Sequence, residues 1–279
     1  MTVRSDFDRC YRELGFSRNP FGLTPDTDFF YPVREHLAAL AHLYFGVTSG
    51  GFTVLTGEVG LGKTLLCRQL LRRSLGGVHT AYVFNPQLSY ADLLQSIYHD
   101  LTGKSLEGYT VGKLHNEIYR LLIHLAARGR RVAVLVDEAH RLPPSLLEGL
   151  RLLSNLETEK EKLLSLLLVG QPELEQTLRL PSMRPLAQRI SVRFHLKPFG
   201  YRDTIRYIRH RLLVASQPQT TFRFCASALL RVHRHSRGVP RQINQICDRA
   251  LLAAFAAGNR EVSDRMVRLA ARETVENHA

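Results

Sequence analysis

Two hydrophobic patterns alternate along the chain. Short, largely apolar runs at Phe52–Leu55, Thr80–Phe84, Arg131–Val136 and Leu163–Val169 read as β-strands, and Ser191–Leu196 reads as a last one. Between them, apolar residues recur every three to four positions and predict helices. The first is Glu35–Phe45, with Leu37, Leu40, Ala41 and Tyr44 at helical spacing; the second runs from Lys63 to Leu75 and is closed by Gly76-Gly77. Tyr90–Leu101, 111–128 and 144–156 follow the same rule. Strands alternating with helices imply a parallel sheet covered on both faces. Beyond Gly200 the strand pattern stops, and helices are predicted over 201–214, 225–235, 239–257 and 263–272. Residues 1–30 are turn-rich, punctuated by Asn19-Pro20-Phe21 and Thr24-Pro25-Asp26. The expected organisation is an irregular segment at 1–30, an α/β core at 31–200 and a small all-helical domain at 201–273.

Charge divides the chain differently. Residues 1–178 carry 19 basic and 19 acidic side chains, whereas residues 179–272 carry 19 basic and 4 acidic. That asymmetry suggests an acidic partner such as a nucleic acid, an anionic membrane or an acidic protein face; arginines that merely solvate helix faces are the alternative. The four cysteines (Cys10, Cys67, Cys225, Cys247) form no C-x-x-C pair, so neither a disulfide framework nor a zinc site is indicated. No apolar run approaches the roughly 18 residues of a membrane-spanning helix. Met1–Cys10 has Asp and Arg where a signal peptide needs an apolar stretch, so a cytoplasmic location is expected.

Candidate chemistry concentrates at two strand ends. Gly57-Glu58-Val59-Gly60-Leu61-Gly62-Lys63-Thr64 satisfies G-x-x-x-x-G-K-[ST] between an apolar strand and a helix. In such a loop the glycines let successive N–H groups converge on phosphate oxygens. The lysine adds a charge at the β- and γ-phosphates, and the threonine offers its hydroxyl to Mg²⁺. The helix beginning at Lys63-Thr64-Leu65 adds its dipole. Strand 131–136 ends in Asp137-Glu138-Ala139-His140, placing two carboxylates where open α/β sheets bind ligands. Asp137 is expected to hold Mg²⁺ through water and Glu138 to polarise the water that attacks the γ-phosphate. An Asp-Glu turn that only caps the next helix is the alternative, and it leaves the pairing with a phosphate loop unexplained. His140 reads as a hydrogen-bonded structural histidine. An N-K-x-D base-reading motif is absent, which argues against a small GTPase. The paired acids favour ATP hydrolysis coupled to conformational change.

With these motifs in place, the chain resembles an AAA+ ATPase of the general secretion pathway protein A group, including its shorter MshM-like pilus-biogenesis members. The resemblance rests on Asn19-Pro20-Phe21, Thr24-Pro25-Asp26, Phe29-Phe30-Tyr31, Gly57–Gly60 and Asp137–His140. It continues through Val169–Leu174, Gln188-Arg189-Ile190 and Ser236–Asn244. It implies a three-layer P-loop core followed by a helical lid. It also implies that Gln171 serves as sensor 1 beside the γ-phosphate, although a turn residue before Pro172 remains the alternative there. Arg241 would serve as sensor 2 and also contact the nucleotide. Arg189, or else Arg184, would be the arginine finger given to a neighbouring subunit, and Asn85 would hold Glu138 away from water. Long members of the group continue into a membrane-spanning segment and a peptidoglycan-binding domain, so this chain is expected to match their motor module.

The resemblance therefore implies an oligomerising ATPase that uses ATP and Mg²⁺ to drive assembly of a secretion or MSHA-type pilus system, peripheral at the inner membrane. The competing expectation is a DNA-binding AAA+ regulator resembling the TnsC/TniB ATPases of transposition, for which the basic C-terminal third is suited. A weakly catalytic nucleotide switch is a third reading, disfavoured by intact Lys63, Asp137 and Glu138.

Overall fold

The computed structural model describes residues 9–72, 76–84, 89–157, 162–218, 220 and 222–276, with side chains described through Thr274. It contains two compact units. The sheet unit comprises Arg34–Val59 and Lys63–Leu196. The helical unit comprises the described residues up to Val33, Gly60–Gly62 and those from Lys197 onward.

In the sheet unit, β1 (Gly51–Gly57), β2 (Val78–Val83), β3 (Arg131–Val136), β4 (Leu164–Gly170) and β5 (Ile190–Leu196) are parallel and lie in the order β2-β3-β4-β1-β5. Every residue of the inner strands β1 and β4 is buried. Burial on both faces is why these strands are written as apolar runs rather than as alternating sequence. The edge strands β2 and β5 carry interleaved exposed positions instead. Helix α1 (Arg34–Ser49) precedes β1, and α2 (Lys63–Arg72), α3 (Tyr90–Thr102), α4 (Val111–Ala127), α5 (Pro144–Leu153) and the short α6 (Glu173–Leu178) and α7 (Arg184–Ala187) fill the connections between strands. Ser89 and Asp92 cap the start of α3 reciprocally, which fixes where that helix begins. Register aligns Val136 of β3 with Leu168 of β4, and Leu168 with Val54 of β1. The C-terminal ends of β1, β3 and β4 therefore leave the sheet side by side.

The helical unit consists of α8 (Tyr201–Ala215), α9 (Ala226–Ser236), α10 (Pro240–Ala256) and α11 (Asp264–Glu276). It also contains a parallel pair of two-residue strands, β6 (Arg223–Phe224) and β7 (Glu261–Val262), where only helices were expected. Two residues are too few to leave a periodic signature. Residues before α1 are more ordered than their turn-rich sequence suggests. A helical turn at 9–13 and a 3₁₀ turn at Thr27–Phe29 bring Tyr11, Phe16, Phe21 and Phe29 into one core with Phe199, Tyr207, Ile208 and Ile243. The buried Arg211 fastens this segment: Nε donates to Pro20 O (2.5 Å) and an Nη to Gly22 O (3.2 Å). The Phe29 ring receives both the Arg18 and Arg211 guanidiniums, at 4.3 and 4.4 Å from its centroid.

Candidate functional site

β1 ends at Gly57, and the chain turns through Glu58–Gly62 into α2, whose first residue is Lys63. Gly60 and Gly62 have φ of 82° and 95°, a region that costs a residue with a Cβ roughly 1–2 kcal/mol. Glycine at both positions lets the backbone take the curl that gathers N–H groups around an anion. Glu58 and Val59 are exposed, Leu61 is buried, and Thr64 and Leu65 lie in the first turn of α2. Lys63 is only 6% exposed and donates to Gly57 O (2.6 Å) and Glu58 O (3.0 Å). Burial pushes its amine below the usual lysine value, against the pull of the Glu138, Asp137, Glu58 and Glu173 carboxylates. An ammonium desolvated in this way and held on main-chain carbonyls gains from any anion that reaches it.

Asp137 is fully buried at the end of β3. Its Oδ2 accepts the Thr64 hydroxyl (2.7 Å) and the Tyr82 hydroxyl (3.0 Å), and its Oδ1 accepts the Glu138 N–H (2.9 Å). Glu138 has φ 55°, one of two non-glycine residues with positive φ among those described. Such strain persists where surrounding structure imposes it, commonly at functional sites. Its carboxylate lies 3.7 Å from His140 Nε2. The Gln171 N–H donates to His140 Nδ1 (3.4 Å), and Gln171 Nε2 lies 3.0 Å from His140 Nε2.

Thr64, Asp137 and the Glu138 N–H thus form one hydrogen-bonded group, with the loop lysine held beside it on Gly57 and Glu58 carbonyls, and Gln171 approaches Glu138 through His140. Of the candidate arginines, Arg189 and Arg184 do not touch this group. Exposed Arg189 donates to Ser154 Oγ (3.2 Å) and to Asn155 Oδ1, and Arg184 is exposed at the start of α7. Within the helical unit, the Arg241 N–H at the start of α10 donates to Gly60 O (3.2 Å), and a Cβ on Gly60 would stand 2.6 Å from the Arg241 Cβ. Asn85 lies outside the described residues. Sequence reasoning missed Tyr82 and gave His140 no role toward Glu138. The available signal was a tyrosine one position short of the end of an edge strand adjacent to β3. For a metal, Thr64 and Asp137 supply only hard oxygen donors around a carboxylate already beside the loop. That donor set suits Mg²⁺, which keeps several waters and takes one or two protein oxygens.

A parallel α/β sheet with a phosphate loop after β1 and an acid pair after β3 defines a P-loop ATPase of the AAA+ class, and the AAA domain family matches residues 47–178. General secretion pathway protein A of Aeromonas hydrophila is 45% identical over 261 residues, covering 93% of this chain and 47% of that protein. The chain belongs with the AAA+ ATPases of the general secretion pathway protein A type, and it spans about half the length of that relative. Solved structures give the same fold at lower identity. The ORC2 protein of Aeropyrum pernix, in ADPNP–ADP complexes, has a TM-score of 0.68 at 20% identity, over 92% of this chain and 71% of that one. Drosophila ORC bound to DNA gives 0.68 at 21%, over 99% and 68%. The RuvB branch-migration motor of Thermotoga maritima gives 0.55 at 17%, over 86% and 67%.

Proposed function

We propose that the chain binds ATP with Mg²⁺ on the Gly57–Thr64 loop, hydrolyses it with Glu138, and drives assembly of a secretion or type IV pilus-like (MSHA-type) system as a nucleotide-dependent homo-oligomer. The observation that carries the catalytic part is the Thr64–Asp137 hydrogen bond of 2.7 Å, which joins the phosphate loop to the acid pair across the sheet. Lys63 exchanges its carbonyl partners for phosphate oxygens, and the loop N–H groups hold the triphosphate. Thr64 and Asp137 would hold Mg²⁺, which supplies charge neutralisation at the β- and γ-phosphates. Glu138 accepts a proton from the attacking water, with His140 and Gln171 fixing its orientation. Arg241 acts as sensor 2, supported by its main-chain bond to Gly60. Arg189 or Arg184 is the finger given in trans, and for Arg189 that requires release from Ser154 and Asn155.

Only the link to secretion comes from the name of the 45% identical relative; the assembly and pilus-like parts rest on the resemblance to MshM-like members. No helix among the described residues is long and apolar enough to cross a membrane, which is compatible with the proposed cytoplasmic, peripheral placement at the inner membrane. The test is Mg²⁺-dependent ATP turnover. Lys63→Ala should lose nucleotide binding, and Glu138→Gln should keep binding while turnover falls by about 100-fold. Undiminished turnover in Glu138→Gln would overturn the assignment. A second reading, DNA binding, is favoured by the excess of arginine beyond residue 178 and by the DNA bound to Drosophila ORC. Salt-sensitive duplex binding that stimulates turnover would support it over the secretion role.

A further inference from the structure

The carboxylate at the end of β3 has one more partner than the motifs account for. Three hydrogen bonds converge on buried Asp137: two on Oδ2, from Thr64 and Tyr82, and one on Oδ1, from the Glu138 N–H. A carboxylate offers about four acceptor positions, so Oδ2 is filled and Oδ1 keeps one lone pair. Tyr82 is well placed for this task. It sits on β2 in register with Leu135, two residues before Asp137, and its own N–H is fixed by the Asp100 carboxylate at 2.6 Å. From there its hydroxyl donates to Asp137 Oδ2 at 3.0 Å, because a carboxylate oxygen can only accept.

We propose that Tyr82 is a positioning residue for the metal site: with Thr64 it saturates Oδ2 of Asp137, leaving Oδ1 alone to receive the cation or a water of its shell. The proposal rests on the Mg²⁺–ATP reading given above. Without the phenol, Oδ2 regains a lone pair. The carboxylate then competes for water and is held less firmly in the orientation that accepts the Thr64 hydroxyl.

The test uses the full chain and Tyr82→Phe, which keeps the ring and removes the hydroxyl. Affinity for fluorescent N-methylanthraniloyl-ADP is measured in EDTA and across a MgCl₂ titration, with thermal melting in EDTA to establish folding. Affinity in EDTA should match wild type within about twofold, while the MgCl₂ concentration needed for half-maximal tightening rises about tenfold, as expected for a lost hydrogen bond to a charged group. The control is Tyr90→Phe. Its hydroxyl bonds Gly149 O (2.8 Å) and His115 Nε2 (2.7 Å) away from the acid pair. It should lower the melting temperature and leave the Mg²⁺ response intact. An unchanged Mg²⁺ response in Tyr82→Phe, or an equal change in Tyr90→Phe, overturns the proposal. A wild-type chain whose nucleotide affinity ignores Mg²⁺ sinks the functional reading itself, and the positioning role with it.

Discussion

Replacing Glu138 by alanine and by glycine separates backbone strain from chemistry at one position. Both changes delete the carboxylate and its 3.7 Å approach to His140, so their difference reports only the Cβ at φ 55°. A Cβ in the left-handed region costs about 1–2 kcal/mol. Glycine gives back roughly 0.5–1 kcal/mol through the greater freedom of its unfolded chain. Glu138→Gly should therefore be more stable than Glu138→Ala by about 0.5–1 kcal/mol, or about 1–4 °C in melting temperature for a domain of this size. Calorimetry or denaturant titration without nucleotide measures the gap, and turnover should be lost in both. If alanine proves as stable as glycine, the surrounding sheet does not impose the left-handed conformation. The view of Glu138 as a residue held against its preference would then fail.

Three further outcomes follow from the helical unit. Arg211→Ala strips the buried Pro20 carbonyl and the half-buried Gly22 carbonyl of their donor, so it should cost about 3 kcal/mol and speed proteolysis within residues 9–33; an unchanged cleavage pattern counts against the clasp. Gly238→Ala places a Cβ 2.0 Å from Phe199 O at φ 76°; a clash with backbone cannot be relieved by a rotamer, and a loss above about 3 kcal/mol is expected in urea melts. Burial raises the Asp248 carboxyl above its usual 3.8, with the Tyr11 and Asn19 hydrogen bonds opposing. The folded state then holds that proton more tightly than the unfolded one, and the stability it contributes is lost as pH climbs through the raised value. Asp248→Asn should accordingly match wild type near the bottom of that window and exceed it at neutral pH; a gap that stays constant with pH would show that Asp248 does not titrate in this way.

Much of the sheet was readable because its inner strands are buried on both faces, so Val132–Val136 and Leu164–Val169 stand out as apolar without any alternation. The acid pair and the phosphate loop were readable because spacing alone places them at strand ends. Other features left no such trace. The packing of Phe16, Phe21 and Phe29 against residues of α8–α10 joins positions nearly two hundred residues apart, and local periodicity carries no information about it. α6 has only six residues, too few for a helical repeat to declare itself. Tyr82 shows in sequence only as a strand-forming aromatic; its reach to Asp137 depends on the register between β2 and β3. The engagement of Arg189 with Ser154 and Asn155 likewise depends on where α5 ends.

The clasp of residues 9–33 onto the helical unit bears on how the polypeptide is made. Synthesis proceeds from the N-terminus, so Phe16, Phe21 and Phe29 leave the ribosome long before Arg211, Tyr207 and Ile243 exist to receive them. At about 5–20 residues per second that interval lasts tens of seconds at the slow end, during which the sheet unit can form while these aromatic side chains wait without a core. Expression fragments that stop before α8 would keep them in that condition indefinitely, and fragments that begin at α1 would leave α8–α10 without the aromatic segment. Boundaries drawn through the sequence-continuous α/β region alone should therefore yield sticky protein, whereas fragments that keep residues 9–33 together with α8–α11 respect the unit as it folds.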